Sequence, residues 1–217
     1  VPMGLPPATY TKAVQENSIG IPMGWAEVQV MDEGGALLGE GEEGELVVKG
    51  DAVMQGYIGG PSTELRVNEE AFKNGYFLTG DVGLWRTVEG ERFFYLKGRK
   101  KEIIIKGGVN ISPVAVENAL KKVSADIEQA YVVGADDKRY GEQIAAVICW
   151  KSGIDEAGAM RRLKARLLLG TEHLSDYEIP VYLASLPVTQ LPTTSTGKVQ
   201  RTVLKTQVEQ WESLFDL

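Results

Sequence analysis

The sequence predicts an α+β protein in two parts: a small β-rich subdomain over residues 1–97, then a compact α+β domain over residues 98–217. Three observations carry this reading. Residues 1–97 hold seven Lys/Arg against fifteen Asp/Glu, a balance of −8, whereas residues 98–217 hold sixteen against fifteen. Before the change in charge, short apolar stretches alternate at period two and are punctuated by glycine. After it, strand patterns and helix patterns interleave. With 217 residues, 43% of them apolar, the chain is long enough to fill a core in each part.

In the first part "AEVQVMD" alternates as a half-buried strand and "GELVVKG" reads as a short strand between glycines. "EGGALLGEGEEGE" is a turn-rich link, "STELRVNEEAFKN" is the one helix-like interruption, and "RFFYLKG" is a further strand. The opening "VPMGLPPATYTKAVQENS" reads as loop, and a start at Val1 suits a piece of a longer protein.

In the second part "EIIIKGG" is a β-branched strand ending in a glycine pair. In "NISPVAVENALKKV" Ser112 is placed to cap a helix and Pro113 suits its first turn. Val116, Ala119, Leu120 and Val123 follow at i, i+3, i+4 and i+7. "QAYVVGA" and "EQIAAVICW" are strands. "DEAGAMRRLKARLLL" is a helix with Met160, Leu163 and Leu167 on its inner stripe and Arg161, Arg162 and Lys164 outside it. "VYLASLP" is a last strand and "TVLKTQVEQW" a last helix.

Composition excludes several chemistries. Cys149, the only cysteine, lies in an apolar strand and reads as a core thiol, and His173, the only histidine, lies in a surface turn. One Cys and one His cannot build a structural zinc site, and no imidazole is placed for a Ser-His-Asp triad. Catalysis would have to run on charges placed by Lys, Arg, Asp and Glu, with no resident metal. A net charge of −7 makes nucleic acid a poor partner, even with Lys97, Arg99, Lys100, Lys101 and Lys106 close in sequence. No run of eighteen apolar residues and no signal-peptide pattern occurs, so a cytoplasmic protein without a transmembrane segment is expected.

"PTTSTGKVQR" resembles a phosphate loop, but a P-loop needs glycine where Pro192 stands and Ser or Thr where Val199 stands. Lys198 therefore needs another explanation. It comes from four stretches in order: "GELVVKGDAVMQGY", "GYFLTGD", "LKGRKKEIIIKGGVNISPVAVE" and "LPTTSTGKVQR". Together they resemble the later half of the adenylate-forming superfamily, which holds acyl-CoA synthetases, peptide-synthetase adenylation domains and luciferases. "GADDKRYGEQIAAVI" is similar to that family's small-domain strand pair.

The resemblance implies a two-step reaction using ATP, Mg²⁺ and CoA. A carboxylate attacks the α-phosphate of ATP to give acyl-AMP and pyrophosphate; a thiol then attacks the acyl carbonyl and releases AMP. Asp81 matches the aspartate that accepts from both ribose hydroxyls, with a plain turn aspartate as the alternative. Arg99 matches an arginine on the nucleotide sugar, and Leu96 an apolar nucleotide neighbour, strand core being its other reading. Lys198 matches the lysine that bridges the substrate carboxylate and the α-phosphate; the alternative is a solvated loop lysine. Lys101 falls on the family hinge, about which the small domain would rotate as a mobile lid. Gly107 and Gly108 match the wall of the pantetheine tunnel, or are simply a strand-ending turn.

Lys101 and "IKGGVNISPVAVE" resemble the acyl-CoA synthetase branch, among fatty or aryl acid ligases, rather than the peptide-synthetase branch. That branch often has "EIE" or "EVE" where this chain has Ala115, Val116 and Glu117. The first acid is absent, and Glu117 is left as either functional or helix surface. The family's upstream phosphate loop and acyl pocket would belong to an N-terminal adenylation domain that these residues lack. Without it the chain is expected to be inactive. A carrier-protein thiol as acceptor, or a non-catalytic binding or complementation module, are the competing readings.

Overall fold

The computed structural model describes residues 3–4, 18–58 and 61–215 and divides into two compact units, Val1–Lys101 and Glu102–Leu217. Each is an assembly of strands with few helices. Apart from Met3, Gly4 and Ser18, the loop expected over residues 1–18 lies outside the described residues.

The first unit is one antiparallel sheet. Its strands are β1 (Met3–Gly4), β2 (Ser18–Pro22), β3 (Ala26–Met31), β4 (Gly44–Gly50), β5 (Phe72–Lys73), β6 (Tyr76–Val88) and β7 (Glu91–Arg99). They run in the order β1-β2-β7-β6-β4-β3, with β5 hairpinned onto β6, and α1 (Pro61–Ala71) precedes β5. Alternation decides the faces: Phe93 and Tyr95 pack with Leu84 and Val88, while Phe94 between them packs with Val28, Val30, Leu46 and Val48. The sequence motif "GYFLTGD" hid the longest strand. Its glycine and aspartate read as a turn, yet β6 runs through them for 13 residues, with an irregularity in register between Val82 and Gly83.

The second unit contains β8 (Ile104–Lys106), β9 (Val109–Ile111), α2 (Pro113–Val123), β10 (Ile127–Asp137), β11 (Gly141–Trp150), α3 (Glu156–Leu168), β12 (Tyr182–Ser185), α4 (Arg201–Lys205) and β13 (Glu212–Ser213). The sheet runs β13-β12-β11-β8-β9, with β10 antiparallel to β11 and β12 parallel to it. Ser112 caps α2 by accepting from the Ala115 amide at 3.2 Å, and Pro113 sits in the first turn. Val116, Ala119, Leu120 and Val123 are all buried, as their spacing requires.

Strand β11 is buried on both faces. Ile144, Ala146, Ile148 and Trp150 meet α2 and α3, while Ala145, Val147 and Cys149 meet Leu191, Leu204 and Val208. Two expectations are corrected here. Lys164 is not outside the α3 stripe but buried: its ammonium donates to the Glu212 carboxylate at 2.8 Å and the Ser213 carbonyl at 3.2 Å, on β13. The last helix is also shorter than expected. It stops at Lys205, where the Thr206 hydroxyl bonds back to the Val203 carbonyl at 2.8 Å, and a 3₁₀ turn over Val208–Gln210 follows.

The α3 stripe gives a direct test. Leu163→Ala is expected to lower the unfolding free energy by about 2–5 kcal/mol. Arg161→Ala, on the exposed side, should stay within about 0.5 kcal/mol of the parent in the same urea titration.

Candidate active-site residues

In the first unit Asp81 on β6 and Arg99 on β7 are cross-strand partners. Arg99 Nε lies 2.9 Å from Asp81 Oδ1, and its NH1 donates to the Thr79 carbonyl at 3.1 Å. The Asp81 amide donates to Thr79 Oγ1 at 3.1 Å, and that hydroxyl donates to the Leu46 carbonyl at 2.7 Å. Gly80, at φ 73°, donates its amide to Glu45 Oε1 at 2.9 Å. This pair is half in water, with Asp81 22% and Arg99 58% exposed, so it orients rather than stabilises. One carboxylate oxygen of Asp81 is thus held, while Oδ2 has no partner among the described residues. Leu96 lies on the same strand and is exposed, not strand core.

The residues around the boundary between the units differ sharply in how they are held. Lys100 donates its backbone amide to the Gly80 carbonyl at 2.8 Å and its ammonium to Glu45 Oε2 at 3.2 Å. Glu102, the first residue of the second unit, is ion-paired with Arg201, its Oε2 lying 3.1 Å from Nε. Lys101 between them is exposed, and its side chain has no partner among the described residues.

In the second unit Gly107 and Gly108, at φ 59° and 84°, form the two-residue tip of the β8–β9 hairpin. Both dihedrals lie where only glycine is comfortable, so the turn alone accounts for the pair. Lys198 sits on an exposed loop closed by a bridge between Thr193 and Val199. Within it the Thr194 amide donates to the Lys198 carbonyl at 2.8 Å, and the Lys198 amide to Thr194 Oγ1 at 3.2 Å. Gly197 takes φ 80° at its tip. The backbone is ordered by these bonds, while the Lys198 ammonium has no partner among the described residues.

The resemblance to known proteins is now specific. Residues 3–58 match the model of the AMP-binding enzyme family and residues 115–198 that of the AMP-binding enzyme C-terminal domain. The chain belongs to the adenylate-forming AMP-binding enzymes. A feruloyl-CoA synthase of Amycolatopsis is 36% identical over 185 residues, 84% of this chain and 34% of that protein. The o-succinylbenzoate CoA synthetase of Bacillus subtilis, solved with its acyl-adenylate intermediate, superposes with TM-score 0.71 at 30% identity. It matches 90% of this chain, which covers 37% of it. An amide bond synthetase of Marinactinospora thermotolerans gives TM-score 0.72 at 28% identity, with 88% and 36% covered. The chain thus spans about a third of the length of these relatives.

The reading of Glu117 as helix surface is corrected. It is buried, donating nothing and accepting much: the Val132 amide at 2.8 Å and the Arg201 guanidinium through both oxygens. Arg201 NH1 also donates to the Val132 carbonyl at 2.8 Å. Burial pushes the Arg201 guanidinium down, but the Glu117 bond and charge, with Glu102, outweigh it and hold its pKa above the ordinary value. Neither residue was legible as a pair, since 84 positions separate them. The only local hint is that Glu117 directly follows Val116 on the inner stripe of α2.

Two other groups complete the surroundings. A cavity of about 500 Å³ lies beside the hairpin, lined among others by Lys106, Tyr140, Gln143, Tyr177 and Leu214. Gln143 Oε1 is buried there with no partner among the described residues, and burial lowers the pKa of the Lys106 ammonium. The Cys149 thiol is fully buried, and burial together with the charges of Glu128 and Glu156 pushes it up to about 11. It is no nucleophile at neutral pH.

Glu117→Ala, which strands the Arg201 charge, is expected to cost about 3–5 kcal/mol of stability. Replacing both partners, Glu117→Leu with Arg201→Met, should recover only part of that in the same denaturation experiment, because the buried Val132 amide and carbonyl then lose their partners. For Cys149, only about one thiol in a thousand is ionised at pH 8 on a pKa near 11. A charged disulfide reagent at that pH should therefore leave it unmodified until urea unfolds the chain.

Proposed function

We propose that this chain is the C-terminal part of an ATP-dependent, AMP-forming ligase that joins a carboxylic acid, fatty or aryl, to the thiol of CoA. Residues to Lys101 belong to the tail of the large adenylation domain, and residues from Glu102 form its mobile small domain, four residues beyond the boundary expected from the change in charge. The observation that carries this reading is the unpartnered ammonium of Lys198, held on an ordered and exposed loop. A point charge on a flexible stem can draw a carboxylate and an α-phosphate together, and two anions that must meet need a cation between them.

In the first half-reaction a carboxylate oxygen forms a bond to the α-phosphorus as the bond to the β-phosphate bridging oxygen breaks, releasing pyrophosphate. Lys198 neutralises the charge that gathers on the phosphoryl oxygens. Asp81 accepts from the ribose hydroxyls through Oδ2, with Arg99 fixing the carboxylate plane and Leu96 offering an apolar edge to the nucleotide. Mg²⁺ would screen the ATP phosphates. Among the described residues no cluster of three His, Cys, Asp or Glu is grouped to hold it.

In the second half-reaction a thiol sulfur attacks the acyl carbonyl and AMP leaves with the bonding pair. Lys101 is the pivot between the two steps: its neighbours on either side are pinned while its own side chain is not. The tip formed by Gly107 and Gly108 presents bare backbone along which a pantetheine arm can lie. The cavity beside it, with two tyrosine rings and the orphan acceptor of Gln143, suits the body of CoA.

In the intact enzyme Lys198→Ala is expected to slow acyl-AMP formation by about 10²–10³-fold, roughly 2.7–4 kcal/mol. Thioester formation from supplied acyl-AMP should be spared. Lys101→Pro, which restricts the pivot, should spare adenylation and slow the thioester step. Pyrophosphate release and thioester assays, run separately, read the two. Equal losses in both assays for both variants would defeat the assignment. The 217-residue chain alone, given ATP, Mg²⁺, CoA and a panel of acids, should make no acyl-CoA.

A further inference from the structure

We infer that Arg201 is a positioning residue for Lys198, and that its ion pair with Glu102 joins the lysine loop to the first residue beyond the pivot. The inference rests on the function proposed for Lys198 and adds to it residues that no part of that reading requires.

Arg201 opens α4 three residues after Lys198, and all three of its nitrogens are engaged. Nε meets Glu102 Oε2 at 3.1 Å, NH1 meets Glu117 and the Val132 carbonyl, and NH2 meets Glu117 Oε2 at 3.3 Å. Three separate elements are thereby tied to the base of the loop: the segment after Lys101, helix α2 and strand β10. Among the described strands β10 pairs with β11 alone. The Val132 amide and carbonyl are taken by Glu117 and Arg201 instead of by another strand. A lysine at 201 would keep the charge but lose the planar fork that reaches three elements at once.

The three contacts differ in what they can do. Glu117 is buried, so its pair with Arg201 bears on stability as well as position. The Glu102 side chain is 40% exposed, and a pair so open to water contributes little to stability. Its effect is geometric. It makes the residue that follows the pivot part of the same rigid piece as the lysine loop, so rotation at Lys101 reaches Lys198 without slack. Small misplacements of a catalytic group cost large factors in rate, which is why slack matters.

The test uses the intact enzyme with three variants, Glu102→Gln, Arg201→Lys and Lys198→Ala, and both half-reactions. As a control for general weakening, Lys164→Met removes a buried ammonium that bonds Glu212 and Ser213 on β13. Glu102→Gln is expected to leave the thermal midpoint unchanged yet slow adenylation about tenfold, with the thioester step from supplied acyl-AMP untouched. Arg201→Lys should slow adenylation further, and amide exchange over residues 193–199 should quicken while that of β11 does not. Lys164→Met should lower the midpoint without separating the half-reactions. Adenylation at the parent rate in both Glu102→Gln and Arg201→Lys, while Lys198→Ala is crippled, overturns this inference and leaves the proposed function standing. Equal losses in the two half-reactions for Glu102→Gln overturn it as well. Parent-rate adenylation by Lys198→Ala would instead remove the proposed function, and the inference with it.

Discussion

Arg201 can keep its charge inside the second unit because Glu117 keeps its own beside it, and both bond the Val132 N–H and C=O of β10. Burying either charge alone would be costly, and burying them together is tolerable only when the remaining donors and acceptors are met. Here they are: Val132 supplies an acceptor for the guanidinium and a donor for the carboxylate. The placement of the lysine loop follows from that arrangement, because α4 cannot shift without uncoupling a buried ion pair and a strand edge at once.

The same five-residue helix makes a second connection. Lys205, one turn beyond Arg201, lies 2.9 Å from Glu142 Oε1 and 3.0 Å from Asp136 Oδ1, and the Glu142 bond leads the causes that raise its pKa. The other oxygen of Glu142 accepts the Ile105 amide at 2.8 Å, in the strand that ends in the glycine hairpin. Arg201 and Lys205 therefore link α4 to the residue after the pivot and to the hairpin respectively. The loop and the tip proposed for the two half-reactions thus belong to the same unit.

Much of this was legible in the sequence, and the reasons for the rest are physical. The inner stripe of α2 declared itself because four apolar residues at helical spacing have one way to be buried together. The two faces of β11 could be guessed from an unbroken apolar run. Long-range pairing could not be guessed. Lys164 looks like a surface residue until β13 arrives 48 positions later with a carboxylate and a carbonyl. Glu117 looks like helix surface until Arg201 arrives. Strand β6 was hidden for a different reason: its glycine and aspartate carry turn propensity, and pairing with β4 on one side and β7 on the other overrides it. The family motifs pointed to Asp81, Arg99, Lys101 and Lys198 as residues, but nothing in them says which side chains are held and which are not.

That distinction is what makes a pivot at Lys101 physically reasonable. A hinge residue has to absorb dihedral change without breaking contacts, so it should be poor in partners while the residues beside it are rich in them. Lys100 is tied by its backbone to Gly80 and by its ammonium to Glu45, and Glu102 is tied to Arg201. Each of these bonds stays within its own unit. Motion concentrated at Lys101 therefore leaves all of them intact, whereas motion spread over three residues would break them. Pinning the neighbours sharpens the pivot, and a sharp pivot is what the role proposed for the Lys198 ammonium requires.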